Sequence, residues 1–155
     1  MTIEREAQST DVLLVEIGCR LAGIPIRDVV EVMRPLPVQR VESAPPFLSG
    51  LAVVRGTATP VVDLRLLLGA PADVPPTRWV SARLQERRVV LSVDAVVGTR
   101  TLPAEALGRL PGLLEGASDA AASLGVLDGQ LLVMLQASRH LLDVVDAAAD
   151  TGPRA

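Results

Sequence analysis

Apolar residues in this chain come in short runs, broken every eight to twelve positions by glycine, proline or charge. Runs of this length, rich in valine, leucine and isoleucine and bounded by turn formers, predict β-strands. Val12 to Ile17, Leu21 to Ile26, Val29 to Met33 and Val38 to Val41 fit in the first part. Leu51 to Val54 and Thr59 to Leu64 follow around Arg55-Gly56, which predicts a hairpin. Trp79 to Leu84, Val89 to Val97 (with Asp94 inside it), Leu124 to Leu127 and Gln130 to Leu135 complete the set. Pro25 marks a strand end or a sheet edge. Asp128-Gly129 predicts a type I′ hairpin turn.

Helical patterning is scarce. Leu64 to Leu68 has one turn's worth of residues, ended by Gly69. Leu102 to Leu107 predicts a short helix with Pro103 in its first turn. A final helix starts at Arg139, with Ser138 as its cap. Its Leu141, Leu142, Val145 and Ala148 form one face, and Asp143, Asp146 and Asp150 face water.

The two halves resemble each other. Leu21-Ala-Gly-Ile-Pro-Ile parallels Val89-Val-Leu-Ser-Val, with Ile24 and Leu91 offset by 67 residues. Leu51-Ala-Val-Val-Arg-Gly parallels Leu124-Gly-Val-Leu-Asp-Gly, with Gly56 and Gly129 offset by 73. Duplicated short strands predict an all-β protein of two small barrels, or a sandwich. Each unit is too small to be very stable alone, so the pair should fold as one. Residues 1–10 read as a polar tail and 11–142 as one domain. The proline-rich stretch Ala70 to Thr77 divides that domain into subdomains of 11–75 and 77–137, and 138–155 forms the C-terminal helix and tail.

Composition narrows the function. The 155 residues are 49% hydrophobic with a net charge of -3, and every one of the 15 basic residues is arginine. A negative balance and only two aromatics, Phe47 and Trp79, argue against nucleic-acid binding. The lone Cys19 excludes an internal disulfide and a cysteine metal cluster. The first residues lack a signal-peptide pattern, and no uncharged apolar run is long enough to span a bilayer, so the expected location is the cytoplasm.

Catalytic patterns are missing. His140 is the sole histidine and has no framed nucleophile to serve. No Gly-x-Ser-x-Gly, Walker or dinucleotide-binding motif occurs. Asp63 and Asp94 lie within apolar runs, where they either accept backbone and arginine hydrogen bonds or form a paired-carboxylate site. Cys19 has no activating base beside it. A protein-binding β module fits these absences better than an enzyme, because strand edges and apolar barrel faces suit docking.

Around the Arg55 hairpin the pattern becomes specific. Ala44-Pro-Pro-Phe-Leu-Ser-Gly-Leu-Ala-Val-Val-Arg-Gly-Thr-Ala-Thr-Pro-Val-Val-Asp-Leu-Arg resembles the A-P … G-V-x-N-L-R-G-x-x-x-P-V-x-D-L signature of the CheW-like domain. Ile24-Pro-Ile-Arg-Asp-Val-Val-Glu-Val is similar to that family's I-P-I-x-x-V-x-E-I segment. Thr77-Arg-Trp-Val, Val93-Asp-Ala-Val and Leu124-Gly-Val-Leu-Asp-Gly-Gln-Leu-Leu-Val-Met-Leu resemble its second half, so the likeness runs over about residues 12 to 142. The chain departs from the pattern at Val53, where the family has asparagine, at residues 21–23, which lack the usual aromatic, and at Gln136, where aspartate often follows the last strand.

The resemblance implies an all-β fold of two SH3-like five-stranded barrels sharing a core, with short helices and a C-terminal helix. It implies a non-catalytic adaptor with no cofactor and no metal, coupling the cytoplasmic tip of a methyl-accepting chemoreceptor to a CheA-type histidine kinase through the kinase's regulatory domain. Matched to the motifs, Arg55, Glu31 and Val29 are the expected receptor-binding residues. The repeat keeps glycine but not arginine at the turn, so Gly56 and Gly129 are expected to be structural. Two alternatives stand beside this reading: an adaptor of a non-flagellar pathway, and a small ligand-binding or enzymatic barrel using Asp63 or Asp94.

Overall fold

The first strand, β1 (Thr10–Ile17), is buried on both sides. Val12 and Leu14 pack with Leu21, Leu102, Leu132 and Met134. Leu13, Val15 and Ile17 point the other way, into a second and larger cluster. Successive side chains on a strand alternate faces, so a strand with two apolar environments needs a continuous apolar run. The computed structural model describes residues 9–69, 75–103, 107–108, 121–127, 130–135 and 139–150.

Within those residues the chain forms two sheets. After β1 come β2 (Arg20–Pro25), a 3-10 turn (Ile26–Asp28) and β3 (Val29–Met33). The hairpin β4 (Leu48–Val54) and β5 (Thr57–Asp63) leads into a one-turn helix, Leu64–Leu67. Next are β6 (Arg78–Leu84), β7 (Arg87–Val93), β8 (Ala95–Leu102), the two-residue β9 (Leu107–Gly108), β10 (Ala121–Leu127) and β11 (Gln130–Leu135). The helix Arg139–Asp150 closes the order. Sheet A runs β8-β1-β2-β11-β10-β9 and sheet B runs β3-β6-β7-β5-β4.

Strand pairing crosses the division expected at the proline-rich stretch. β1 and β2 lie between β8 and β11, while β6 and β7 join β3, β4 and β5. Sheet B is therefore one contiguous stretch, residues 29–93, set within the strands of sheet A. Two parallel pairings carry the mixing: β5 with β7, and β2 with β11.

Three apolar clusters follow. One lies on a face of sheet A. Another lies on a face of sheet B, where Trp79 packs with Ala52, Val54, Val61 and Val90. The third joins the sheets: Val15, Ile17 and Ile24 meet Val62, Val80, Val89 and Leu91, and the C-terminal helix adds Leu142, Val145 and Ala148. That spacing follows the helical period. Arg87 Nε donates to Asp146 Oδ1 at 2.7 Å and ties this helix to the β6–β7 hairpin.

Three expected elements are corrected. The run Val89 to Val97 is two strands, because Asp94 leaves the ladder: its N–H donates to Glu16 O at 3.0 Å and its C=O accepts from Thr77 Oγ1. Val38 to Val41 is not a strand. Gln39 alone bridges to Leu51, and Pro37, just before the run, removes a donor. Both ends of the expected helix Leu102 to Leu107 are strand, and residues 104–106 lie outside the described residues: Leu102 ends β8 and is buried, and Leu107–Gly108 pairs with Leu124 and Gly125 of β10. At those two ends strand pairing overrides local helical propensity. The turn at Asp128-Gly129 and the Ser138 cap lie outside the described residues.

Candidate functional site

The β4–β5 turn places Arg55 and Gly56 between the paired residues Val54 and Thr57. Both have positive φ, 48° and 80°. Two such residues form the turn type that matches the twist of a hairpin. Gly56 has open space where a side chain would stand, so backbone conformation rather than packing calls for glycine. Arg55 holds the same left-handed region at a cost of about 1–2 kcal/mol.

Glu31 sits on β3, opposite Ser81 of β6. Arg55 grips it with two bonds: Nε to Oε2 at 2.7 Å and a terminal guanidinium nitrogen to Oε1 at 2.9 Å. β3 and the β4–β5 turn belong to opposite ends of sheet B's strand order. One arginine side chain spans the gap, so the sheet is rolled and the pair closes its mouth. The two expected residues are thus partners of each other. The hydrogen bonds from Arg55 hold the Glu31 carboxyl below its ordinary pKa, against a smaller opposing effect of burial, and the charge of Arg88 adds to the lowering. The pairing is therefore complete at neutral pH and lost as pH falls through that lowered pKa. An NMR titration of Glu31 should give a midpoint below about 4.3, returning toward it in Arg55→Ala; an unchanged midpoint would show that the pair does not persist in solution.

Val29 is placed differently. It is half-buried and packs on the cluster between the sheets. A register shift separates it from Glu31, so the two do not present one surface. The exposed apolar residues next to the pair in sequence are instead Val30 (42%) and Val32 (44%), on either side of Glu31, and Val53 (64%), two positions before Arg55. Alternation along β4 carried the signal for Val53, since Ala52 and Val54 on either side are core residues.

Asp63 and Asp94 are not an open carboxylate pair. Asp63 caps the short helix, its Oδ1 accepting from the N–H groups of Arg65 (2.9 Å) and Leu66 (3.3 Å). The Arg65 guanidinium, with its side chain 5% exposed, lies 3.5 Å from Asp63 Oδ2 and 3.5 Å from Asp94 Oδ1. Asp94 Oδ2 accepts from the Gly18 N–H in the β1–β2 turn. This is a clasp from the end of sheet B to sheet A. Clefts of about 510 Å³ beside Val38, Pro45 and Leu66 and about 320 Å³ beside Asp11 and Arg100 include neither aspartate. Among the described residues no cluster of three potential metal ligands forms, and no helix is long and apolar enough to cross a membrane.

Two packed sheets, an ion pair closing the mouth of one of them, and aspartates tied into a clasp between them define a two-sheet β module. The CheW-like domain matches residues 11–144, and the chain belongs to that family. It is 23% identical over 127 residues to the chemotaxis protein CheW of Helicobacter pylori, covering 81% of this chain and 77% of the relative. It is 26% identical over 140 residues to the chemotaxis protein CheW of Klebsiella aerogenes, covering 88% and 84%. The crystal structure of the scaffolding protein TtCheW from Thermoanaerobacter tengcongensis superposes with a TM-score of 0.74 at 20% identity, covering 83% of this chain and 90% of that one. The all-β, two-barrel SH3-like fold expected from the sequence is the fold this chain has.

Proposed function

We propose that this protein is a non-catalytic coupling adaptor of a bacterial chemosensory system. The mouth of sheet B receives the helical cytoplasmic tip of a methyl-accepting chemoreceptor, and a separate surface pairs with the regulatory domain of a CheA-type histidine kinase. The adaptor works in the cytoplasm and joins membrane-associated receptor arrays through these partners. The observation that carries this reading is the bidentate Arg55–Glu31 pair at the mouth of sheet B, with exposed Val30, Val32 and Val53 close by in sequence on β3 and β4. The names of its relatives, chemotaxis and scaffolding proteins, support it. Burial of the three valines favours docking by about 25 cal/mol per Å² before ordering costs. The charged pair sets orientation more than affinity.

The cleanest test replaces Arg55 by glycine. The left-handed turn suits glycine, so Arg55→Gly removes the guanidinium without backbone strain. Receptor-tip binding should be lost in a pull-down, as it should in Arg55→Asp, while Tm stays within about 2 °C of the parent. Retained binding would show that the mouth is not the receptor site.

A further inference from the structure

We propose that Arg83 and Arg88 form a second cationic contact at this mouth, taking a pair of acidic side chains on one face of the docked receptor helix. This rests on the adaptor reading above. The two arginines are directly opposite each other in the β6–β7 ladder, and both are exposed. Directly opposed residues share a face, with Cβ atoms about 4.5–5.5 Å apart, and like charges there are destabilising. Among the described residues, no ion pair joins either guanidinium to a carboxylate. Arg88 acts on Glu31 at a distance, but both Glu31 oxygens are already held by Arg55.

The hairpin that carries them has a second local cost. Its turn residues Gln85 and Glu86 have φ of 47° and 69°, with no glycine to relieve either. A surface built against both turn preference and charge pairing marks a place where stability is given up for another role.

Location supplies that role. β5 and β7 are parallel neighbours, so the β4–β5 and β6–β7 turns lie at the same end of sheet B. In register, Arg83 and Arg88 follow Ser81 and Val90 on the sheet face that carries Glu31. Arg55 offsets the charge of Glu31, which leaves two guanidinium charges uncompensated beside it. Carboxylates three or four residues apart on a helix stand about 5–6 Å apart at Cβ, close to the separation of the two arginines. The exposed valines at the strand edges beside this mouth suit a protein helix. The net charge of -3 and the scarcity of aromatics do not suit a nucleic acid.

The test uses the full chain and a soluble cytoplasmic-tip fragment of its chemoreceptor, with affinity read by calorimetry. Arg83→Glu sets a carboxylate opposite Arg88, so Tm should rise by about 1–3 °C. The same variant should weaken binding roughly tenfold and flatten its dependence on salt, and Arg88→Gln should weaken binding in the same direction. Unchanged affinity in both variants, with Arg55→Gly still defective, overturns the arginine-pair assignment alone. A fall in Tm for Arg83→Glu overturns the claim of cross-strand repulsion. A parent chain that fails to bind the fragment overturns the adaptor reading and this contact with it.

Discussion

Arg65→Ala is expected to cost about 3–5 kcal/mol of stability, the range found when one member of a buried ion pair is removed. Its guanidinium is the centre of the clasp, 3.5 Å from both Asp63 and Asp94, and the residue is 4% exposed. Without it two carboxylates remain at the junction of the sheets, and one of them is buried. The Asp63 cap on the short helix would survive, because it uses backbone N–H donors. The loss should therefore appear as looser docking between the sheets rather than as unfolding of the helix. Urea denaturation gives the magnitude, and hydrogen exchange at Gly18, whose N–H is held by Asp94, gives the place. A loss under about 1 kcal/mol would mean that neighbouring packing alone holds the sheets. Asp94→Asn should cost less, since that side chain is 26% exposed.

Gly50→Ala should cost roughly 2–4 kcal/mol. Gly50 has φ of 144°, and a Cβ there would stand 2.1 Å from the Gln39 carbonyl oxygen. Backbone is in the way, so no rotamer change can relieve the contact. The segment around Gln39 must lift, breaking its two 2.8 Å hydrogen bonds with Leu51 and opening the edge of β4. Faster amide exchange at Leu51 would report this directly; a parent-like rate would show that the segment tolerates a side chain beneath it.

Much of this fold could be read from the order of the residues, and the reasons are particular. β1 and β7 have apolar neighbours on both faces, so Val12 to Val15 and Val89 to Leu91 read as unbroken apolar runs. The same continuity concealed the break at Asp94, because a single polar residue between two apolar runs resembles a strand interior. Pairing partners were illegible for a different reason. β1 lies beside β8, with Val12 opposite Arg100, and no local pattern encodes a match at that separation. The repeat suggested sequential halves, whereas the sheets are nested.

The site was legible in part. The Arg55 hairpin stood out as a lone charge in an apolar stretch, and Gly56 as its conformational partner. That Arg55 and Glu31 hold each other depends on the rolling of sheet B, which the sequence does not express. A register shift after Val29 turns it toward the core, a placement the local sequence does not express. Arg83 was read only as a residue of the strand Trp79 to Leu84; the register sets it face to face with Arg88.

Nesting also fixes an order of assembly on the ribosome. Sheet B draws on residues 29–93 alone and has all its strands once that stretch has emerged. Sheet A has no such freedom: β2 waits for β11, the last strand to be made, and β1 waits for β8. During synthesis β1 and β2 can pair with each other and pack one face on sheet B, but the other face, with Val12, Leu14 and Leu21, stays uncovered until Leu102, Leu132 and Met134 have been made. Such long-range pairing slows folding and lengthens the interval in which an exposed strand can join the wrong neighbour. The earliest strands translated are among the last to have both faces covered.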